Sequence, residues 1–351
     1  MSRRTLTNNK ISLLLLTVLL LLCSINVTPR QRLDRRHHNR TLADGPTFVP
    51  ASQISSTNGL IAFSAAEQIY VMNGDGSDIR RITEPVLRVY NDYPAFSPDG
   101  LRIAFISFDM NNLQHTLYIA DIDGSRLQRI ISGPAFMSEP AWSPDGSKIA
   151  FARGHDNTRE DWAMKLSCRP EIYVVDVFTH KFTSLTQGEG GTDPAWSPDG
   201  TRIAFNSFRE GNNEIYTMSS EGGDVQRLTD TPWAEAEPAW SPDGKQIAYA
   251  AHLFQTDVGC GFIPMGRPPN TETEPSYIYV MDCDGTKQTR LEITGGGNEP
   301  TWSPDGASLA FALADKNGRE IYVTDASGSG LTKLTSGAEE KSSLSWSNAS
   351  R

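Results

Sequence analysis

The segment Pro140–Gly146 reads Pro-Ala-Trp-Ser-Pro-Asp-Gly, and close copies of it return along the chain. In each copy an aromatic residue ends a short apolar run. The Ser-Pro-Asp-Gly that follows supplies a fixed φ at proline, a side-chain acceptor at aspartate and a positive-φ position at glycine, which predicts a tight turn. Recurrence of one unit indicates a repeat architecture. The other copies stand at Pro94–Gly100, Pro194–Gly200, Pro238–Gly244 and Pro300–Gly306, with a degenerate copy at Leu344–Asn348.

Each turn is followed by the same series of strand-length segments. An apolar triplet such as Ile149-Ala150-Phe151 comes first, and an Ile-Tyr pair such as Ile172-Tyr173 comes next. An Asp/Gly-rich turn and a last short patch such as Arg227-Leu228-Thr229 complete the unit. Four short strands joined by hairpins form one propeller blade. Counting the apolar triplets from Ile61 onward gives six blades.

The two ends of the repeat region complete each other. The first unit begins directly at its second strand, Leu60–Ser64, and the chain finishes with a lone first strand, Leu344–Ser347. We therefore predict an all-β, six-bladed propeller with four-stranded blades over residues 59–348. In this propeller the C-terminal strand completes blade one, and such closure leaves no open sheet edge around the ring.

The first 58 residues have a different composition. Residues 1–27 contain a basic start and a leucine-rich stretch, which predicts a signal peptide or an uncleaved signal anchor helix. Five arginines lie just beyond it, so a reversed orientation also stays open. Residues 28–58 are polar and without a period, and we interpret them as a flexible linker. We accordingly expect an extracytoplasmic propeller, in the periplasm or at the cell surface, tethered to the membrane.

Charge is distributed unevenly along the chain. The chain contains 32 Lys+Arg and 42 Asp+Glu, of which residues 1–40 hold 8 basic and 1 acidic. The remainder has 24 basic and 41 acidic residues, a net charge of −17. Nucleic acid is excluded as a partner of such a surface, because binding it normally rests on a basic footprint.

The repeat resembles the TolB-like (WD40-like) β-propeller repeat. The resemblance rests on the Pro-Ala-Trp-Ser-Pro-Asp-Gly, Ile-Ala-Phe, Ile-Tyr-Val and Arg-Leu-Thr elements in fixed order, over about residues 59–348. It implies a six-bladed propeller of a kind found in the periplasm. The linker leaves no room for the α/β domain that precedes the propeller in TolB, so we do not expect TolB's specific role and partners to carry over.

The residue before the first proline of the repeat is acidic in four blades. Because first strands surround the channel of a propeller, these carboxylates should ring its mouth. Such a ring could bind a cation, a basic peptide or a polyol. Alternatively, each carboxylate accepts backbone N–H bonds from its neighbouring blade. The acids are Glu139, Asp193, Glu237 and Glu299, and Tyr93 and Ser343 occupy the other two positions.

The acids of the Asp-Gly turns lie on the opposite face. Each of them stands where a tight turn favours aspartate, and the EF-hand spacing with its closing glutamate is absent. We interpret them as structural residues rather than calcium ligands.

Two loops between the second and third strands are enlarged, 152–171 in blade three and 250–276 in blade five. They open on the same face as the carboxylate ring, and long loops on a rigid scaffold commonly house binding sites. The candidate binding residues in them are Trp162, His155, His252 and Phe254.

Cysteines occur in both enlarged loops. Cys168 and Cys260 can pair across blade four if the domain is exported, which would leave Cys283 on the other face as a free thiol. The alternative is three unrelated small residues in a reducing compartment.

Catalytic motifs do not emerge from the sequence. It contains no Gly-x-Ser-x-Gly, no His-Glu-x-x-His and no phosphate-binding glycine loop. We therefore favour a non-enzymatic propeller, without a cofactor, that binds a protein, peptide or glycan at the acidic mouth and enlarged loops. One alternative is a metal-dependent polysaccharide lyase or hydrolase using His115, His155 or His252, although their spacing fixes no metal site. A purely structural assembly module is the other.

Overall fold

The computed structural model describes residues 59–154, 170–252, 276–316 and 318–347. Six four-stranded antiparallel sheets are built from them, and each sheet is one blade. The predicted six-bladed, all-β propeller is confirmed. The predicted N-terminal signal or anchor helix and the linker that follows it lie outside the described residues.

The strands follow the chain blade by blade. Blade one contains β1 (Leu60–Ala65), β2 (Gln68–Asn73) and β3 (Arg80–Arg81), and blade two contains β4 (Val89–Phe96), β5 (Arg102–Asp109), β6 (Gln114–Asp121) and β7 (Gln128–Gly133). Blade three contains β8 (Met137–Trp142), β9 (Lys148–Arg153), β10 (Glu171–Asp176) and β11 (Phe182–Ser184). Blade four contains β12 (Thr192–Trp196), β13 (Arg202–Ser207), β14 (Glu214–Ser219) and β15 (Gln226–Arg227). Blade five contains β16 (Ala234–Trp240), β17 (Gln246–His252), β18 (Tyr277–Asp282) and β19 (Thr289–Arg290). Blade six contains β20 (Asn298–Trp302), β21 (Ser308–Asp315), β22 (Gly318–Asp325) and β23 (Thr332–Lys333), and β24 (Lys341–Trp346) ends the series.

The last strand closes the ring as the sequence predicts. Strand β24 pairs antiparallel with β1, with Trp346 opposite Ile61 and Lys341 opposite Ala65. The backbone N–H of Ser347 donates to the carbonyl of Leu60 at 2.8 Å. Consequently β24 is the innermost strand of blade one, and the six inner strands contact one another around the full circle.

The apolar triplets form the core between blades. Ile149, Ala150 and Phe151 are fully buried, and they alternate between the two faces of their sheet. Ile149 and Phe151 pack in one cluster with Ile106 and Leu117 of blade two. Burying side chains of this size stabilises the fold by roughly 2 kcal/mol each, so the second strands hold each blade against its neighbours.

The aromatic residue ahead of Ser-Pro-Asp-Gly connects adjacent blades. The indole Nε1–H of Trp142 donates to the carbonyl oxygen of Ala95 in the preceding blade at 3.1 Å. Trp302 makes the equivalent bond to the Ala239 carbonyl at 3.1 Å. This repeated bond explains why tryptophan, which carries a donor at the edge of a large apolar ring, recurs at this position.

The Ser-Pro-Asp-Gly turns are closed by their own side chains. In blade three the Ser143 hydroxyl donates to Asp145 Oδ1 at 2.6 Å, and the backbone N–H of Ser147 donates to the same oxygen at 3.0 Å. These bonds lower the pKa of the Asp145 carboxyl. The aspartates are therefore turn residues, in agreement with the structural interpretation of the sequence. We call the face that carries these turns the turn face and the opposite one the mouth face.

Residues 59–154, 170–252, 276–316 and 318–347 contain no helix that is long and apolar enough to cross a bilayer.

Candidate functional site

Every inner strand bulges at the same repeat position, which directly precedes a proline in blades two to six and Leu344 in blade one. The pairing of β8 with β9 shifts register between Ser138 and Ala141, and Glu139 between them has a φ of 47°. A non-glycine residue in this left-handed region is unfavourable by roughly 1–2 kcal/mol. Bulges are frequent next to binding sites because they redirect a side chain. The six bulge residues, with φ between 47° and 58°, are Tyr93, Glu139, Asp193, Glu237, Glu299 and Ser343.

The bulge side chains of different blades converge electrostatically at the mouth of the channel. The pKa of the Tyr93 hydroxyl is raised well above its usual value by burial, and further by the carboxylates of Glu139, Asp193 and Glu299 from blades three, four and six. Asp92, beside Tyr93, also acts on Glu139 and Glu299. Glu237 in turn acts on Glu139, Asp193 and Glu299, so all four predicted carboxylates interact with one another across the inner strands.

Three of these carboxylates use one oxygen to connect adjacent blades. Glu139 Oε2 accepts the backbone N–H of Asp193 at 3.3 Å, and Glu237 Oε2 accepts that of Glu299 at 2.6 Å. Glu299 Oε2 accepts the N–H of Ser343 at 2.5 Å. The structural role that the sequence left open is thus present. It occupies one oxygen of each group, since within the described ranges no donor reaches Oε1 of Glu139 or Glu237.

The protonation of the ring follows from its burial. Burial raises the pKa of Glu139 to about 7, and the carboxylates of Glu237 and Asp92 contribute to the rise. Burial also raises the pKa of Glu299 to about 7, although the Arg319 guanidinium opposes the shift. The pKa of Asp193 is well above its usual value because of burial and the charges of Glu139 and Glu237. Glu139 and Glu299 therefore keep their protons to higher pH than solvated glutamates do.

The six bulge positions of the ring differ in charge. The Nη1 atom of Arg319, on β22, lies 3.3 Å from Glu299 Oε1 and neutralises the blade-six carboxylate. The bulge positions of blades one and two hold uncharged Ser343 and Tyr93, and Asp92 beside Tyr93 adds a carboxylate in blade two. Glu139, Asp193 and Glu237, the bulge carboxylates of blades three to five, have no cation beside them among the described residues, and they form what we call the acidic arc.

The enlarged loops are described only at their bases. Trp162, His155, Phe254, Cys168 and Cys260 lie outside the described residues. His252 closes strand β17, where its Nδ1 lies 2.8 Å from the hydroxyl of Ser276. Cys283 is an exposed free thiol in the turn that follows β18.

His115 of blade two is enclosed by aromatic rings. It stacks on Phe108, with 4.4 Å between ring centroids, and contacts the edge of Phe136 at 5.5 Å. Burial lowers its pKa to about 4, so its imidazole is neutral at neutral pH. His252 belongs to blade five, three blades away, so the fold does not bring these two histidines together. In the part of the chain that the structure describes, no group of three His, Cys, Asp or Glu residues has a metal-binding arrangement.

A set of buried polar residues at the start of the third strands was not singled out from the sequence. Glu214 Oε2 accepts the hydroxyl of Thr229 at 2.7 Å, and Thr229 Oγ1 in turn accepts the N–H of Ile215 at 2.8 Å. Blade six repeats this pattern with Glu320 and Thr335. The available signal was the polar residue directly ahead of each Ile-Tyr pair, four of which are Gln68, Glu171, Glu214 and Glu320.

Comparison with known proteins finds similarity to the propeller of TolB proteins. The family model for the TolB beta propeller domain matches residues 93–257. The chain is 32% identical over 149 residues to an uncharacterized protein of Agrobacterium fabrum, covering 40% of this chain and 46% of that protein. It is 30% identical over 182 residues to the Tol-Pal system protein TolB of Bordetella pertussis, covering 50% and 36% respectively. The chain thus spans less than half the length of these curated relatives.

Solved structures show the same fold at lower identity. The crystal structure of TolB from Acinetobacter baumannii superposes with a TM-score of 0.65 at 23% identity, covering 82% of this chain and 66% of that one. A chain of the nidogen/laminin complex gives a TM-score of 0.60 at 11% identity, covering 82% and 97%. At such identities the likeness extends to the fold alone.

Proposed function

The chain carries a TolB-like six-bladed β-propeller, and on this premise we propose that it is a non-enzymatic binding module. Its partner is a protein or peptide that presents a cationic group to the acidic arc of Glu139, Asp193 and Glu237. The observation that carries the proposal is the mutual proximity of these three carboxylates at the inner strands, with no cation beside them among the described residues.

The ionised forms of the three carboxylates repel one another. Burial raises the pKa of both Glu139 and Asp193, and the charge of Glu237 adds to each rise, so ionised neighbours are unfavourable there. A Lys, Arg or N-terminal ammonium group in the opening would replace the bound protons and favour the charged forms. The Oε1 atoms of Glu139 and Glu237 provide acceptors that the bonds between blades do not use.

The enlarged loops are proposed as the rim of the same site. We assign further contacts to Trp162, His155, His252 and Phe254, and a clasp between the two loops to a Cys168–Cys260 disulfide. This assignment is supported by the emergence of both loops on the mouth face, from blades three and five, which contribute two of the three residues of the acidic arc.

We place the propeller outside the cytoplasm, tethered to the membrane. The proposed organisation is a signal peptide or anchor at 1–27, a linker at 28–58 and the propeller at 59–348. Its support is the leucine-rich N-terminal stretch and the similarity to a Tol-Pal system protein.

A peptide selection on the immobilised full chain tests the proposal. From a random peptide display library we expect enrichment of Lys- and Arg-containing sequences. The combined variant Glu139→Gln, Asp193→Asn and Glu237→Gln should bind the selected peptides at least about tenfold more weakly, because charge pairs at desolvated sites contribute several kcal/mol. Exposed Glu340→Gln is the matched control and should leave the affinity unchanged.

Two results would contradict the proposal. One is the absence of cationic enrichment, and the other is unchanged binding by the combined variant. A neutral oligosaccharide that binds where no peptide does would identify a glycan ligand instead.

A further inference from the structure

The joints between blades are built on one repeated pair of positions. The residue two places before the bulge residue faces the start of the third strand in the preceding blade. Its backbone N–H donates across the joint, from Asn91 to the Glu67 carbonyl at 3.0 Å and from Glu235 to the Asn213 carbonyl at 2.8 Å. The side chains that meet at equivalent joints can therefore be compared directly.

Two of these joints have complementary side chains. Between blades one and two, Asn91 Nδ2 donates to Gln68 Oε1 at 3.3 Å. Between blades six and one, the Lys341 ammonium lies 3.0 Å from Glu320 Oε2, with both side chains almost fully buried. The joint between blades four and five instead pairs two carboxyl groups, Glu214 at 0% exposure and Glu235 at 1%.

Hydrogen bonds reach three of the four carboxyl oxygens of this acid pair. Glu214 Oε2 accepts from Thr229, and its Oε1 accepts from Arg227 Nη2 at 2.8 Å and from Asn212 Nδ2 at 3.1 Å. Glu235 Oε1 accepts the hydroxyl of Thr231. Glu235 Oε2 is buried, and across the described ranges no donor reaches it. Two carboxylates are both acceptors, so they hydrogen-bond to each other directly only when one of them is protonated.

Positive charge at this joint is already shared. The Arg227 guanidinium pairs with Glu210 at 2.8 Å and Asp230 at 2.7 Å in addition to Glu214. From β17, the hydroxyl of Tyr249 interacts with both Glu235 and Glu214 and adds no positive charge. On Glu235's own strand the nearby ring residue Glu237 is also acidic. An ionised Glu235 would thus add negative charge to a joint in which Arg227, the cation found there among the described residues, already pairs with three carboxylates.

We propose that the joint between blades four and five is operated by a proton: it is closed while protonated Glu235 donates a hydrogen bond to Glu214, and it loosens when Glu235 loses that proton. Burial raises the pKa of Glu235 to about 8, with the neighbouring Glu214 adding to the rise. A solvated glutamate has a pKa near ~4.3. The closed joint therefore binds a proton that the open joint releases, and opening becomes more favourable as pH rises from about 4 to about 8.

The segment that loosening would release is short and well defined. Asn212 Nδ2 holds the connection before β16 through the carbonyls of Thr231, at 2.9 Å, and Trp233. The ring of Trp233 packs edge-on against Tyr277 at the base of the blade-five loop, 6.1 Å away. Loosening of the joint involves only these contacts and does not depend on the identity of any ligand.

Hydrogen exchange on the full-length chain tests the joint at about pH 6 and about pH 8.5, after correction for the intrinsic pH dependence of exchange. One released proton makes opening about tenfold more favourable per pH unit below a pKa of about 8. We therefore expect peptides covering 229–240 to lose at least about tenfold in protection, whereas peptides covering 318–346, at the Glu320–Lys341 joint, keep theirs.

Glu235→Gln supplies an amide donor to Glu214 at every pH and should remove the loss of protection. If this variant does not fold, Glu214→Gln carries the same expectation, because its amide donates to Glu235. Lys341→Met is the control, since it breaks the other joint and should leave the pH dependence at 229–240 unchanged. Retained protection in the wild-type protein at about pH 8.5, or an equal loss in a folded glutamine variant, would overturn the proposal.

Discussion

The two faces of the propeller use the same acidic side chains in opposite ways. On the turn face, hydrogen bonds from Ser197 and Thr201 lower the pKa of Asp199, and bonds from Ser241 and Lys245 lower that of Asp243 to about 2. On the mouth face, burial raises the pKa of Glu139 to about 7. Carboxylates of the turn face are satisfied within their own turns, whereas those of the mouth face lie close to carboxylates of other blades.

The difference separates what a repeat does locally from what it does when it closes into a ring. The Ser-Pro-Asp-Gly aspartate meets equivalent donors in blades two to six, because these donors lie two residues before and after it in the chain. A mouth carboxylate meets residues that are distant in sequence, such as Glu299 with Arg319 and Ser343. The turn face should therefore respond to backbone changes and the mouth face to protonation and ligands.

Glycine substitutions should produce the largest contrast between the faces. Gly124, in a turn on the turn face, has a φ of +82°, and a Cβ there would lie 2.4 Å from the carbonyl oxygen of Ile82 in blade one. We expect Gly124→Ala to lower the free energy of unfolding by about 3 kcal/mol, since strain and overlap add. Urea denaturation measures the loss.

The control for this prediction lies on the mouth face. Gly188, in the connection between blades three and four, has a φ of +92° with nothing within 4 Å of the added Cβ. Gly188→Ala should therefore lower the free energy of unfolding only by the cost of a positive φ at alanine, about 1 kcal/mol. Equal losses for the two variants would show that the turn face is not a rigid contact between blades.

The second-largest contrast between the two faces should be in the pH dependence of stability. Because burial raises the pKa values of Glu139 and Glu299 to about 7, the folded protein binds protons that the unfolded chain has lost above about pH 4.3. The contribution of these two groups to the free energy of unfolding should therefore fall as pH rises through this window and level off above about pH 7.

The combined variant Glu139→Gln and Glu299→Gln should flatten this fall by up to about 1.4 kcal/mol per pH unit for each proton no longer bound. The measurement is urea denaturation at about pH 5 and about pH 7. Asp145→Asn is the control, since the lowered pKa of this turn residue lies below the window. An unchanged slope in the double variant would mean that the mouth carboxylates titrate normally.

The fold could be predicted from the sequence because its signals are local. The turn residues of Pro140–Gly146 and the buried triplet Ile149-Ala150-Phe151 recur in order, and the missing first strand identifies the closure. The beginning of β24 was placed three residues too late, at Leu344 instead of Lys341, because the bulge at Ser343 interrupts the pattern.

The ring position of the mouth carboxylates also follows from the repeat, but their electrostatics do not. The cation beside Glu299 comes from β22, and the partner of Glu235 comes from another blade. Neither contact is visible as a repeat in the sequence, because each joint between blades pairs different side chains. A three-dimensional arrangement is needed to separate the carboxylates that only join blades from those that remain open to a ligand.

The smallest effect is expected from the tryptophans where the inner strands reach the turn face. Trp142→Phe removes the Nε1–H bond to the buried Ala95 carbonyl and should lower the free energy of unfolding by about 1 kcal/mol. The equivalent Nε1–H of Trp196 is buried, and no acceptor for it lies among the described residues. Trp196→Phe therefore removes an unsatisfied donor and should be near neutral or slightly stabilising, because burying such a group is unfavourable. Thermal unfolding of the two variants compares sites that share a repeat position. A larger loss at Trp196 would show that ring packing, rather than the bond between blades, determines why tryptophan stands ahead of Ser-Pro-Asp-Gly.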